Sequence, residues 1–261
     1  MEGLSPALRA QMCKNFEKLR QYTPKEFTRK FRSTADLAFF KAKEFRAIGL
    51  YTGPIALKNI LPTQHYNHFL TFHVAYRILH DEKMIHDYDC LEYAEQLLRN
   101  FVHDFAILYG EHLISFNVHD LLHITEDVRR FRKTLTALSS YRFQNKLGSI
   151  KQLVNSAHLP LVQVARRLHE RNLFCAPHEE DVQKNKTPSL KKRMGSNSNR
   201  YKLLRSPLYT FDCNRMSDRF CVSRDNDIIM IEYFELNNFG EISAVGIKLH
   251  TKCLYDAPFD S

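Results

Sequence analysis

The hydrophobic pattern predicts a mainly α fold followed by a small antiparallel β module, and three observations carry that reading. Apolar residues recur at three- and four-residue steps through residues 1–173. From about 174 to 206 a stretch with Pro, Gly, Ser and Asn, dense in Lys and Arg, interrupts them. Beyond it the period shortens to two, and β-branched and aromatic residues accumulate. The expected organisation is a helical region at 1–173, a basic flexible linker at 174–206 and a β module at 207–261.

The spacing from Tyr66 to Leu79 predicts one helix after Pro62. Leu91, Ala94, Leu98, Phe101, Phe105 and Leu108 predict a second of roughly five turns, stopped by Gly110. Val118, Leu121, Leu122, Thr125 and Val128 predict a third, with Asn117 as its N-cap. Leu147, Ile150, Leu153 and Val154, then Leu161, Val164, Ala165 and Leu168, predict two more, parted near Pro160. Helices of this length with short connections form a bundle-like region of mostly antiparallel neighbours. Pro177, Pro188, Gly195 and Ser196-Asn197-Ser198-Asn199 offer too little apolar surface to order themselves, hence the linker. Arg219–Val222, Ile228–Tyr233 and Ile242–Leu249 read as strands, with Asn237-Asn238-Phe239-Gly240 as the turn between the last two.

At 261 residues, 44% of them hydrophobic and 26% charged, the composition is that of a globular chain. No apolar run reaches membrane-spanning length, and Met1-Glu2-Gly3-Leu4-Ser5-Pro6 lacks a basic and apolar leader. Neither secretion nor a membrane partner is expected. Six scattered cysteines fit reduced thiols in a nuclear or cytoplasmic protein.

The net charge of +9 is concentrated. Residues 1–182 carry +5 and residues 206–261 carry −4. Residues 183–205 carry +8 with no acid: Lys184, Lys186, Lys191, Lys192, Arg193, Arg200, Lys202 and Arg205. Such a segment suits nuclear import or DNA phosphate contact, each neutralised phosphate adding a salt-sensitive increment. Tyr201 is the only aromatic residue in it, so base stacking has little support.

His119 and His123 stand at i, i+4, the spacing of half a tetrahedral zinc site. Glu126, Cys90 and Cys175 are the candidates for further ligands, and Cys175-Ala176-Pro177-His178 has metal-like spacing of its own. Two helix-surface histidines without metal are the plainer expectation. No phosphate-cradling glycine loop is present among eight glycines.

Several ordered stretches resemble the C-terminal half of transposases of the CACTA (Enhancer/Suppressor-mutator) type. They are Phe27–Ser33, Lys43-Glu44-Phe45-Arg46, Leu50-Tyr51-Thr52-Gly53-Pro54, Tyr66-Asn67-His68-Phe69-Leu70 and Leu108-Tyr109-Gly110. Asn117–His123, Leu147–Lys151, Gln163–Arg167 and the ending Pro258-Phe259-Asp260-Ser261 continue the series, so the resemblance covers nearly the whole chain. It implies a ribonuclease-H-like core in which two aspartates and a glutamate hold two divalent metals that activate the attacking oxygen and steady the leaving one. A helical insertion would carry a zinc site from Cys-x-x-Cys and His-x-x-x-His, whose histidine half matches His119 and His123. The glutamate would fall in the context matched by Phe143-Gln144-Asn145-Lys146-Leu147-Gly148.

The chain departs from that pattern at several points. Position 144 is glutamine, a neutral amide that binds hard cations far more weakly than a carboxylate. By analogy with removing one positioned electrostatic group, about 3 kcal/mol of barrier returns. No Cys-x-x-Cys exists in the chain, and residues 1–40 are too short and too helical to supply the two aspartates. Arg132-Lys133-Thr134-Leu135 also replaces the glycine-containing text that commonly precedes the glutamate. The expectation is a decayed, non-catalytic derivative with weak DNA binding through the basic stretch. No cofactor is expected beyond residual zinc, and magnesium or manganese only if another chain completes the site. Two alternatives are a subunit of an active transposase completed that way, and a protein-interaction module with no DNA role.

Overall fold

The computed structural model describes residues 5–24, 27, 32, 34–174, 188–196, 198–206, 209–251 and 254. It is mostly helical with one small antiparallel sheet of six strands, as the pattern predicts at that level. The helices are α1 (Pro6–Arg20), α2 (Ala42–Ala47), α3 (Gly53–Leu57), α4 (Thr63–Ile78), α5 (Tyr88–Tyr109), α6 (Phe116–His119), α7 (Ile124–Phe131), α8 (Leu135–Leu138), α9 (Tyr141–Lys151) and α10 (Pro160–Phe174). The strands are β1 (Ser189–Arg193), β2 (Arg200–Arg205), β3 (Thr210–Asp212), β4 (Phe220–Val222), β5 (Ile228–Leu236) and β6 (Ile242–Lys248). No helix among the described residues is long and apolar enough to cross a membrane. The chain divides into two compact units. The first is Met1–Ala137 with Arg215–Met230 and Lys248–Ser261, and the second is Leu138–Asn214 with Ile231–Ile247.

In the first unit α4 packs along α5. The Asp87 carboxylate caps α5 by accepting from the amides of Asp89 and Cys90, satisfying orphan donors of its first turn. Leu91, Ala94, Leu97, Leu98 and Val102 then fall on one buried face at helical spacing. Gly110 ends the helix at φ +103°, a conformation an L side chain resists. From α4, Leu70, Ala75 and Ile78 are buried, and Phe16, Ala47 and Ala56 form a neighbouring cluster with Met12, Leu19 and Leu57.

The Leu50-Tyr51-Thr52-Gly53-Pro54 stretch has a packing explanation. A wide helical turn over Ile48–Thr52 feeds α3, and the backbone there runs against α4. A Cβ on Gly53 would lie 2.3 Å from the Phe69 ring, while the Tyr66 hydroxyl donates to the Pro54 carbonyl at 2.8 Å. Beside it, Glu44 is only 1% exposed and is held by the Arg32 guanidinium at 2.8 and 2.9 Å and by the Lys41 amide at 2.8 Å. A carboxylate out of water needs such partners to remain charged.

Two expectations are corrected. The helix drawn from Asn117 to Val128 is broken: α6 follows Ser115, a tight turn spans Asp120–Leu122, and α7 begins at Ile124. Asn117 is therefore inside α6 and is not its cap, and Thr125 and Val128 of α7 are the buried residues. The flexible linker at 174–206 is also overturned for its described part. Ser189–Arg193 and Arg200–Arg205 are strands β1 and β2, paired antiparallel as Ser189 with Arg205, Leu190 with Leu204, Lys191 with Leu203 and Arg193 with Tyr201. Leu203 and Leu204 are both buried, and that apolar pair supplies the order the cationic composition concealed.

In the second unit β2 also pairs with β3, through Leu203 with Asp212, and with β5, through Tyr201 with Phe234. Ile231 and Phe234 of β5 are buried. The Asn237–Gly240 turn forms as expected before β6. The Asn237 carboxamide oxygen accepts from the amides of Phe239 and Glu241, and Gly240 takes φ +80°. Pro160 is the first residue of α10, where its missing N–H costs nothing.

The two glycines Gly53 and Gly148 make a prediction of opposite signs. Gly53→Ala drives a methyl into the Phe69 ring and lowers stability by about 2 kcal/mol. Gly148 lies inside α9 with open space where a Cβ would go, so Gly148→Ala raises stability by about 0.5–1 kcal/mol. Urea unfolding midpoints of the two variants check both.

Candidate functional site

The β1–β2 ladder sorts the basic residues. Cross-strand partners share a face, and faces alternate along a strand. Lys191, Arg193, Tyr201, Arg205 and the buried Leu203 therefore belong to one face, and Arg200 and Lys202 to the other. Lys192, at φ +58°, leaves the alternation and pairs at 2.8 Å with the buried Asp212, which lies opposite Leu203. On the second face Lys202 Nζ donates to the Glu232 carbonyl at 2.8 Å. Arg200 meets Glu235 at 3.3 Å and lies 4.7 Å over the Tyr233 ring. On the first face Lys191 and Arg205 have no ion-pair partner among the described residues. Arg193 donates to the Ser198 carbonyl and has no carboxylate partner among the described residues. Lys184 and Lys186 lie outside the described residues.

His119 and His123 are exposed, with ring centroids 5.5 Å apart and nearly perpendicular. Two imidazoles sharing a zinc at ordinary Zn–N lengths hold their centroids about 5 Å apart, so the pair has suitable separation. No group of three His, Cys, Asp or Glu placed to hold a metal occurs among the described residues. Glu126 is engaged by Arg129 at 2.5 Å, and Cys175 and His178 lie outside the described residues. Gln144 is an exposed residue of α9 whose amide N–H donates to the Ser140 carbonyl.

Between α4 and α5 a cleft of about 310 Å³ is lined by Gln64, Asn67, His68, Thr71, Asp104 and Ile107. Sequence spacing gave His68 no role beyond its place in a motif. Its Nε2–H donates to the Phe101 carbonyl at 2.9 Å, and its ring stacks on Phe101 at 4.1 Å. His73 Nδ1–H likewise donates to the Gly49 carbonyl at 2.6 Å, and His80 Nδ1–H to the Tyr76 carbonyl at 2.8 Å. Burial pushes all three imidazoles below their ordinary range, against the raising effect of those carbonyls. His68 and His73 thus tie α4 to Phe101 of α5 and to Gly49, while His80 bonds back to Tyr76 within its own turn, and an isolated aromatic-rich stripe in a sequence does not separate such roles from ligation.

Comparisons with protein-family models, with curated proteins and with solved structures find no match.

The depressed histidines fix the sign of a pH effect. In the unfolded chain they take up protons as pH falls through about 6.5, while the folded chain resists until their lower native values are reached. Stability is therefore full above that range and falls as pH is lowered through it. Urea midpoints at pH 7.5 and 5.5 should show the decline, and His73→Gln should be less stable at pH 7.5 yet show a shallower decline.

Proposed function

We propose that this chain is a transposase-derived protein without strand-cutting chemistry that holds nucleic-acid backbone weakly and with little sequence preference. The observation that carries the reading is the face of Lys191, Arg193 and Arg205, three cations brought together by the β1–β2 register with no carboxylate partner among the described residues. A two-stranded ribbon of this kind presents its charges at fixed spacing, so less side-chain and backbone freedom is lost on contact than with a flexible tail. The family resemblance and the amide of Gln144 support the non-catalytic half of the reading. Neutral glutamine offers no anionic oxygen to a divalent ion. His119 and His123 offer two of the four ligands of a structural zinc, with no third placed beside them among the described residues.

The reading has a quantitative consequence. If three phosphates are neutralised, the logarithm of affinity for duplex DNA falls against the logarithm of salt with a slope of about −2.7. That is roughly fortyfold between about 50 and 200 mM salt. Contact by all eight cations of 183–205 would give a slope of about −7. Mobility shifts on a duplex of arbitrary sequence at stepped salt measure it. A slope near −3 is expected, and no detectable binding at about 50 mM salt refutes the reading.

A further inference from the structure

Helix α10 is two-sided in sequence, and its apolar side is not buried among the described residues. At about 100° per residue, Leu161, Val164, Ala165 and Leu168 fall within one arc, extended by Val162 and Leu173. Arg166, Arg167, Glu170 and Arg171 occupy the opposite arc. No described side chain of α10 is buried, and Leu161 is 83% exposed. Among the described residues neither α9 nor α10 packs extensively along another element. An apolar face in water is unfavourable unless something covers it.

Charge narrows what that occupant is. Residues 138–174 hold six Arg and Lys against one carboxylate, Glu170. Arg166 is paired with Glu170 at 3.1 Å, while Arg167 and Arg171 have no carboxylate partner among the described residues. A second copy of the same helix would set like charges together. Nucleic acid would satisfy the arginines and leave the leucines in water. The occupant is therefore both acidic and apolar.

The helix is also preorganised. The Gln163 carboxamide oxygen accepts from the amides of Asn155 and Ser156, and its nitrogen donates to Ser156 Oγ and to the carbonyls of Ser156 and His158. One side chain thus ties the preceding loop to the first turn, and a helix already formed loses less entropy on docking.

We propose that α10 is a target helix for an acidic, methionine-lined groove of the kind calcium opens in EF-hand sensor proteins. Leu161, Val164, Ala165 and Leu168 stand at the i, i+3, i+4, i+7 spacing by which an amphipathic helix anchors in such a groove. Arg167 and Arg171 would face its carboxylate rim. This inference is independent of the β1–β2 face.

The chain contains no tryptophan, so Leu161→Trp places a single reporter at an exposed position of the full-length protein. Titration with calcium-loaded calmodulin should give a saturable blue shift at one-to-one stoichiometry, abolished by a calcium chelator. Adding Arg167→Glu and Arg171→Glu should weaken binding tenfold or more with helix content unchanged. The proposal is overturned by the absence of a calcium-dependent shift, by undiminished binding of the charge-reversed variant, or by a response to anionic phospholipid vesicles with none to calmodulin.

Discussion

The antiparallel ladder of β1 on β2 decides which face most of the described cations of the basic stretch occupy. Its register puts Lys191 opposite the buried Leu203 and Arg193 opposite Tyr201, so side chains two apart share a face whatever their charge. Arg200 and Lys202 consequently meet Glu235 and the Glu232 carbonyl, while Lys192, turned out of the alternation at φ +58°, reaches Asp212. Among the described residues Lys191 and Arg205 meet no carboxylate, and Arg193 meets only the Ser198 carbonyl. A run that reads as eight equivalent charges thus divides, among its described members, into structural and available halves. The burial of Leu203 and Leu204 is what makes the division stable.

The first unit obeys a different constraint, close approach between α4 and its neighbours. Gly49 and Gly53 let backbone run against Tyr76 and Phe69, and His73 reaches the Gly49 carbonyl across the same contact. His68 makes the equivalent bridge from α4 to the Phe101 carbonyl of α5. The stretches around Gly53 and His68 are explained by packing.

Much of this was legible in the sequence because it is periodic. The α5 pattern at 91, 94 and 98, the stop at Gly110, the turn at Asn237–Gly240 and the break near Pro160 follow from local steric and hydrogen-bonding rules. The β1 and β2 strands were hidden. Their apolar content is Leu190, Leu203 and Leu204, and the charges around them read as a solvated linker until the partners Asp212, Glu232 and Glu235, far along the chain, are in place. The break at Asp120–Leu122 was hidden for a related reason: apolar spacing continues through it while the backbone tightens. For the site, His119 and His123 are adjacent as spacing implies. A lone sequence does not show which further side chains would complete a metal's shell.

The claim that register, and not total charge, sets nucleic-acid affinity is tested most directly by two charge-matched double variants. Lys191→Gln with Arg205→Gln and Arg200→Gln with Lys202→Gln each remove two cations from the same ribbon. Filter binding of one duplex at a single low salt concentration compares them. The account predicts that the first pair loses most of its affinity, about tenfold or more, while the second stays within about threefold of the parent. Equal losses in the two would contradict it.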